Sequence, residues 1–283
     1  TGVTPYLSSA DGARTVVTVH DVFARSCPGH STRSDTLLYR YWLPRVLSHV
    51  DAVITDSQAS KMDLANFLNI PEETVHVIYG GVSTCYHPIS SEEAARTASR
   101  YDLPKRYILF VGSVEERKNL RRLLQACARL WREGEVRPLV VVGPHKWKYR
   151  RILQTVEELG ISEHVIFTGY VPDEALPALY SGADLFVFPS LYEGFGLPPL
   201  EAIACGTPVV CSNTSSLPEV VGDAALMVDP YDVEALAEAM HRVLSDTALR
   251  EELRQKGLAR AKMFTWERAA RETLAVYSCV LQM

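Results

Sequence analysis

From about residue 105 onward, short apolar runs alternate with amphipathic stretches. Tyr107 to Val111, Leu139 to Val142, Val165 to Thr168, Leu185 to Phe188, Val209 to Ser212 and Leu226 to Val228 are rich in β-branched and aromatic residues. Runs without a polar face predict strands covered on both sides of a parallel sheet. Between them, Leu120 to Arg132, about 148 to 159 and Glu174 to Ser181 carry helical spacing. Six strands interleaved with helices predict an α/β unit with a doubly wound parallel sheet. Beyond Asp229 the pattern is helical: Val233 to Leu244, roughly 246 to 262, then Trp266 to Val280.

The first part of the chain carries fewer strands. Thr15 to Val19, Ala52 to Thr55 and Thr74 to Ile78 read as strands, and Ser57 is placed to cap a helix running to Leu68. Leu37, Leu38, Tyr41, Trp42 and Val46 give residues 32 to 49 one apolar helical face. The Arg33, Arg40 and Arg45 of that stretch suit a solvated face, or an anionic acceptor or membrane surface. Pro88, Pro104 and the serines and glutamates between them read as a linker with one short helix. The expected division is a partial N-terminal domain over 1–88, a linker over 89–104, a second domain over 105–264 and a closing helix over 265–283.

The stretch after Phe188 holds the main candidate chemistry. Pro189-Ser-Leu-Tyr-Glu193-Gly-Phe-Gly-Leu-Pro-Pro-Leu-Glu201-Ala follows a strand, and Pro198 and Pro199 open a helix that stops at Gly206. A strand, a tight loop and a helix start turn backbone N–H groups and a helix dipole toward whatever lies above them. That is a seat for phosphate. Glu193 in the loop and Glu201 in the first helical turn add carboxylates, which accept hydrogen bonds from vicinal hydroxyls. Each has a plain alternative, since Glu201 would also offset the dipole and Glu193 would serve as a solvated loop residue.

Two further places carry polar groups at strand ends. Arg117 and Lys118 lie in the loop Gly112-Ser-Val-Glu-Glu-Arg-Lys-Asn119, after one strand and before a helix, where a pyrophosphate would sit. A solvated pair would look the same. His20-Asp21 closes the first strand, at the edge where open α/β sheets bind ligands, although a structural His-Asp pair also ends strands. Lys146-Trp-Lys-Tyr-Arg-Arg151 interleaves basic and aromatic residues, which fits a solvated helix start more simply than a nucleic-acid or membrane surface.

Composition narrows the class. A net charge of −5 is not that of a dedicated nucleic-acid binder. No apolar run approaches the ~20 residues that cross a bilayer. The six cysteines are scattered with no C-x-x-C pair, which favours reduced, buried thiols and a cytoplasmic setting.

Glu193-Gly-Phe-Gly-Leu-Pro-Pro-Leu-Glu201, followed by Gly206-Thr-Pro208, closely resembles the paired-glutamate motif of the family-four retaining glycosyltransferases of GT-B fold. Thr15-Val-Val-Thr-Val-His-Asp-Val, the Arg117-Lys118-Asn119 loop and Phe264-Thr-Trp-Glu267 resemble further elements of that family. Together with Ser215-Ser-Leu-Pro-Glu-Val-Val-Gly-Asp-Ala-Ala, the motif is similar to bacterial mannosyltransferases of polysaccharide assembly. The resemblance implies two Rossmann-like domains, the second complete here. It implies that His20 faces the donor sugar across the cleft, with Asp21 orienting its surroundings. It implies that Arg117 and Lys118 bind the donor phosphates. Some relatives carry another Arg where this chain has Ser113, so Arg117 would supply the whole planar contact.

The same resemblance assigns sugar hydroxyls to Glu193 and the ribose to Glu201. Gly112 and Gly143 would allow close backbone approach, Tyr170 and Val171 would lie by the base, and the amides of Phe195, Gly196 and Leu197 by the diphosphate. A closing helix from Thr265 would cross back to the first domain. Only three strands precede the linker where a doubly wound domain has about six, and the family's Gly-rich acceptor loop has no counterpart. The first half of that domain would be missing through truncation, a split gene or a minimal design.

The expected activity is retaining transfer of a hexose from a nucleoside-diphosphate sugar to a glycan or lipid-linked acceptor. GDP-mannose leads UDP-glucose and UDP-N-acetylglucosamine as donor, and no further cofactor is expected. No D-x-D sequence is present to hold a divalent metal, so fixed cations and amides would meet the charge on the leaving diphosphate. The leaving phosphate would take the acceptor proton, and Glu193 would not be a covalent nucleophile. The setting is the cytoplasm, or the inner face of a membrane touched only peripherally. The competing expectation is a nucleotide-sugar-binding chain, inactive alone because its acceptor half is missing or on another chain.

Overall fold

The computed structural model describes residues 13–27, 29, 36–144 and 149–282. It divides into two compact units, residues 1–81 with 266–283, and residues 82–265.

The first unit holds a parallel three-stranded sheet of β1 (Val16–Thr18), β2 (Ala52–Thr55) and β3 (Val75–Val77), with β2 in the middle. All of β2 is buried. Side chains alternate between faces along a strand, so an all-apolar Ala-Val-Ile serves two cores at once. Val53 packs with Leu43, Leu47, Leu64, Leu68 and Val75 on one face. Ala52 and Ile54 pack on the other with Ile78 and with Ala269, Val276 and Val280 of the helix Trp266–Leu281. Ser57 caps the helix Gln58–Leu68 by accepting from Ser60 N at 3.0 Å, and Asn69 ends it in the left-handed region at φ 54°.

The helix expected over 32–49 forms differently. Its residues 32–35 and Arg33 lie outside the described residues. Leu38–Trp42 is a π-helical turn that passes into the α-helix Leu43–Leu47. Pro44 has no N–H to give to Arg40, so the backbone takes a wider turn ahead of it. Arg40 lies over the Tyr41 ring at 5.4 Å, and Arg45 Nη1 donates to Tyr41 O at 2.5 Å.

The second unit is built on a six-stranded parallel sheet in the order β6-β5-β4-β7-β8-β9. Its strands are β4 (Ile108–Val111), β5 (Leu139–Val142), β6 (Val165–Gly169), β7 (Leu185–Phe188), β8 (Val209–Ser212) and β9 (Ala225–Val228). The chain winds outward from β4 to β6, returns to β7 beside β4, and winds the other way. Between β4 and β7 the direction of winding reverses, and in open α/β sheets the crevice there takes the ligand. Phe110, Phe186 and Phe188 fill the centre, with Phe188 stacked 5.9 Å from Phe186.

The segment 89–104, expected as a linker, is an integral part of this unit. Its helix Ser91–Ser99, capped by Ser90, buries Ala94 and Ala98. A Cβ at Gly182, on the helix Leu176–Gly182, would lie 3.5 Å from Ala94 Cβ. Ile89 N donates to Ser181 Oγ at 3.0 Å. Small residues on both sides let the two helices approach closely.

Candidate active site

The loops after β4 and β7 meet at the reversal point. After β4, Glu116–Lys118 forms one 3-10 turn, and Asn119 at φ 60° redirects the chain into the helix Leu120–Arg132. Asn119 is buried, and its Nδ2 donates to Pro189 O at 3.0 Å and to Pro230 O at 2.7 Å. One amide thus ties the basic loop to the loop after β7.

This brings Arg117, Lys118 and Glu193 together. Lys118 Nζ lies 2.7 Å from Glu193 Oε1, and Arg117 Nη1 lies 3.0 Å from Glu193 Oε2. Arg117 also donates to Tyr192 O at 2.8 Å and to Glu115 Oε1 at 3.1 Å. Lys118 and Glu193 are buried, at 7% and 8% exposure. The solvated-pair and solvated-loop alternatives therefore do not describe them. The ammonium also sits 4.9 Å from the centre of the Phe188 ring.

Burial would raise the Glu193 carboxyl, but Lys118, Arg117 and the hydrogen bonds from Lys118 and Ser190 outweigh it and hold it below its ordinary value. Burial pulls Lys118 below its ordinary value, with Glu193 opposing and Arg117 adding to it. The group is a charged cluster in which each carboxylate oxygen of Glu193 faces one cation.

Serines outside the predicted site residues hold the loop in place. Ser190 Oγ donates to Glu193 Oε1 at 2.5 Å, and Ser212 Oγ donates to Ser190 O at 2.7 Å. Glu193 N donates to Ser215 Oγ at 3.0 Å, while Ser216 Oγ reaches Glu193 O at 2.9 Å and Phe195 O at 2.5 Å. Ser190, Ser212 and Ser216 are fully buried. Hydroxyls inside such an apolar stretch must find polar partners, and that was the available signal.

The helix Leu197–Ala204 offers fewer N–H groups than expected. Pro198 and Pro199 have none, and Leu200 N already donates to Gly196 O at 3.3 Å. Of its first four residues, only Leu197 retains an N–H outside the helical ladder. Gly196 enters at φ 116°, where a Cβ would lie 2.8 Å from Leu217 Cδ2. Phe195 is buried against Phe264, edge to face at 5.8 Å, and Leu197 is 39% exposed.

Glu201 lies one residue past the first turn, not within it. Its Oε2 accepts from Tyr180 OH at 2.9 Å, and Tyr86 lies near enough to act on the same carboxyl. Burial raises this carboxyl while the two phenols oppose the rise. Tyr86 meets Tyr180 edge to face at 6.1 Å, forming a three-residue cluster that sequence spacing did not reveal.

The remaining positions vary. Gly112 and Gly143 end neighbouring strands, and a Cβ on Gly143 would lie 2.1 Å from Gly112 O. The close approach that requires Gly143 is therefore between two strand ends of the protein itself. Tyr170 is 70% exposed, whereas Val171 is buried. Lys146, Trp147 and Lys148 lie outside the described residues.

His20 belongs to the first unit, where its Nδ1 lies 2.7 Å from Asp56 Oδ2. Asp21, the expected orienting neighbour, accepts from Phe23 N at 3.0 Å. The Asp56 hydrogen bond raises His20 above its ordinary value against partial desolvation, and the charges of Asp56 and Asp21 add to the rise.

Known proteins share both units. A family model described as glycosyl transferases group 1 matches residues 91–260, and one described as glycosyltransferase family 4 matches residues 2–85. The chain is 40% identical over 266 residues to the O-antigen chain mannosyltransferase B of Escherichia coli, covering 93% of this chain and 70% of that protein. It is 37% identical over 239 residues to the serotype-specific mannosyltransferase WbdA of Escherichia coli, covering 82% of this chain and 29% of that protein. Among solved structures, sucrose-phosphate synthase from Thermosynechococcus elongatus superposes with a TM-score of 0.80 at 27% identity, over 94% of this chain and 68% of that one.

Proposed function

The chain belongs to the glycosyl transferases group 1 family, and on that premise we propose that it transfers a hexose, mannose first, from a nucleoside-diphosphate sugar to a glycan or lipid-linked acceptor with retention. The observation that carries the proposal is the buried Arg117–Lys118–Glu193 cluster at the reversal point of the sheet. Mannose is put first because the two relatives described above are named mannosyltransferases, which makes GDP-mannose the first donor to test, ahead of UDP-sugars.

The proposed chemistry follows from the charges. A donor diphosphate competes with Glu193 for the two cations, and as the anomeric bond breaks the growing negative charge falls on groups already fixed in place. Glu193, exchanged out of its ion pairs, accepts from hydroxyls of the sugar, and Glu201 from those of the ribose. Arg117, Lys118 and the amides near Gly196 do the work a divalent metal would otherwise do, so the proposed transfer needs none. His20 keeps, as part of this proposal, the role at the reaction centre that the family resemblance implies. A cytoplasmic setting fits the six free thiols.

The test is transfer from GDP-mannose and UDP-glucose by this chain, paired with calorimetric titration of GDP and UDP. Lys118→Ala and Glu193→Ala should each slow transfer by about 10²-fold or more, and Glu201→Ala should chiefly weaken nucleotide binding. Wild-type turnover in the Lys118 and Glu193 variants would refute their roles. Nucleotide binding without transfer would favour a binding chain.

A further inference from the structure

We propose that Asp56 is a positioning residue for the transfer reaction, holding His20 in the tautomer that carries its proton on Nδ1 and leaves Nε2 to act as the second functional nitrogen. This rests on the placement of His20 at the reaction centre in the proposed function, but the pairing itself rests on the structure alone.

Strand register explains why these two residues meet. β1 and β2 are parallel, with Thr18 opposite Ile54. His20 and Asp56 each stand two residues further on, at the carboxyl ends of their strands. Side chains alternate along a strand, so residues two beyond a register pair again share a face. Asp21, next to His20 in sequence, has the opposite parity. Its Oδ1 accepts from the backbone of Phe23, and it acts on His20 through charge.

The local contacts keep the pair in place. Val19 N donates to Ile54 O at 2.8 Å, holding the end of β1 against β2. Asp56 precedes Ser57, the cap of the helix Gln58–Leu68, so its backbone lies between a strand and a capped helix. Ser60 Oγ, from that helix, donates to His20 O at 3.4 Å.

The chemistry then follows from the acceptor. A carboxylate only accepts, so a 2.7 Å contact to Nδ1 puts the N–H there and leaves Nε2 as the second functional nitrogen. The imidazole side chain is 63% exposed against 23% for Asp56. The ring stays accessible while the carboxylate that anchors it is the more sheltered partner. Neutral His20 would accept a hydroxyl hydrogen bond at Nε2, and protonated His20 would donate one. The Asp56 charge favours the protonated form, with Asp21 acting in the same direction.

The test combines long-range nitrogen NMR of the whole chain with kinetics of Asp56→Ala and Asp56→Asn, using His20→Ala to identify the His20 signals. In the wild type the His20 signals should report protonated Nδ1 and a pKa above that of a free imidazole. Asp56→Ala should lower that pKa and mix the tautomers. Asp56→Asn, which keeps an acceptor without the charge, should lower the pKa but hold the tautomer. By analogy with other histidines oriented by a carboxylate, the kcat for transfer should fall about 10–100-fold in Asp56→Ala. The fall should be smaller in Asp56→Asn, with the donor KM little changed in both. His20 signals indifferent to Asp56→Ala would overturn the pairing, and NMR decides that without turnover. Altered NMR with wild-type kcat in Asp56→Ala would overturn the positioning role. A fully active His20→Ala would remove His20 from the reaction and end the positioning role with it, yet would leave the pairing to NMR.

Discussion

Replacing Lys118 with methionine separates the buried ion pair from its packing. Methionine approximates the stem of lysine and keeps its contact near the Phe188 ring, but removes the ammonium 2.7 Å from Glu193. Removing one partner of a buried pair typically costs ~3–5 kcal/mol, because the remaining charge stays buried. Here Arg117 remains 3.0 Å from Oε2 and Ser190 remains 2.5 Å from Oε1. The low end, about 3 kcal/mol, is therefore expected. For a unit of this size that corresponds to a fall of roughly 6–12 °C in the melting temperature of residues 82–265, read by circular dichroism.

The double variant Lys118→Met with Glu193→Leu removes both charges and should recover most of the loss, since an apolar replacement of a buried pair is often close to neutral. The folded Glu193 carboxyl lies below its ordinary value. Its contribution is therefore present above the unfolded glutamate pKa of about 4.3 and is lost as pH falls through the lower folded value. Acid should cost the wild type more stability than Glu193→Gln over that interval. A loss below about 1 kcal/mol in Lys118→Met, or a double variant as damaged as the sum of its single changes, would refute the coupling.

Three other changes test the frame around the site. Gly143→Ala would force a Cβ to 2.1 Å from Gly112 O at φ 142°, and should cost at least about 2 kcal/mol by urea unfolding; a wild-type midpoint would show that the strand ends can part. Tyr180→Phe removes the phenol that donates to Glu201 and leaves a buried carboxyl easier to protonate. GDP affinity, followed by calorimetry, should then begin to fall at a higher pH than in the wild type, and superimposable profiles would remove Tyr180 from nucleotide binding. Ser57→Ala deletes a buried helix cap and should destabilise the first unit by about 1 kcal/mol, measured by hydrogen exchange along Gln58–Leu68; unchanged exchange there would rule the cap out as a stabilising contact.

Most strands of the parallel sheet are nearly continuous apolar runs, which is why β4 to β9 were legible as strands, whereas their order and the reversal point came from the structure. The loop residues Arg117, Lys118 and Glu193 were legible for the same reason, since each follows such a run at short distance. Contacts that depend on register were not. Nothing local says that His20 and Asp56 stand side by side, or that Tyr86 and Tyr180 reach Glu201. The 89–104 segment looked like a linker because prolines and serines frame it, while the alanines of its helix are too small to make a strong apolar stripe. The π turn at Leu38–Trp42 was hidden because the apolar positions on either side of Pro44 still match an α-helical period.

The helix Trp266–Leu281 has a consequence for how the chain is made. Ala269, Val276 and Val280 of this helix cover one face of a sheet whose strands precede it in the chain, so on the ribosome Ala52, Ile54 and Ile78 must wait until the helix has been made. A nascent chain stalled before Trp266 would leave that face bare and open to chaperones. Cleavage just before Trp266 should accordingly loosen the three-stranded sheet, while the unit over residues 82–265 keeps its protection.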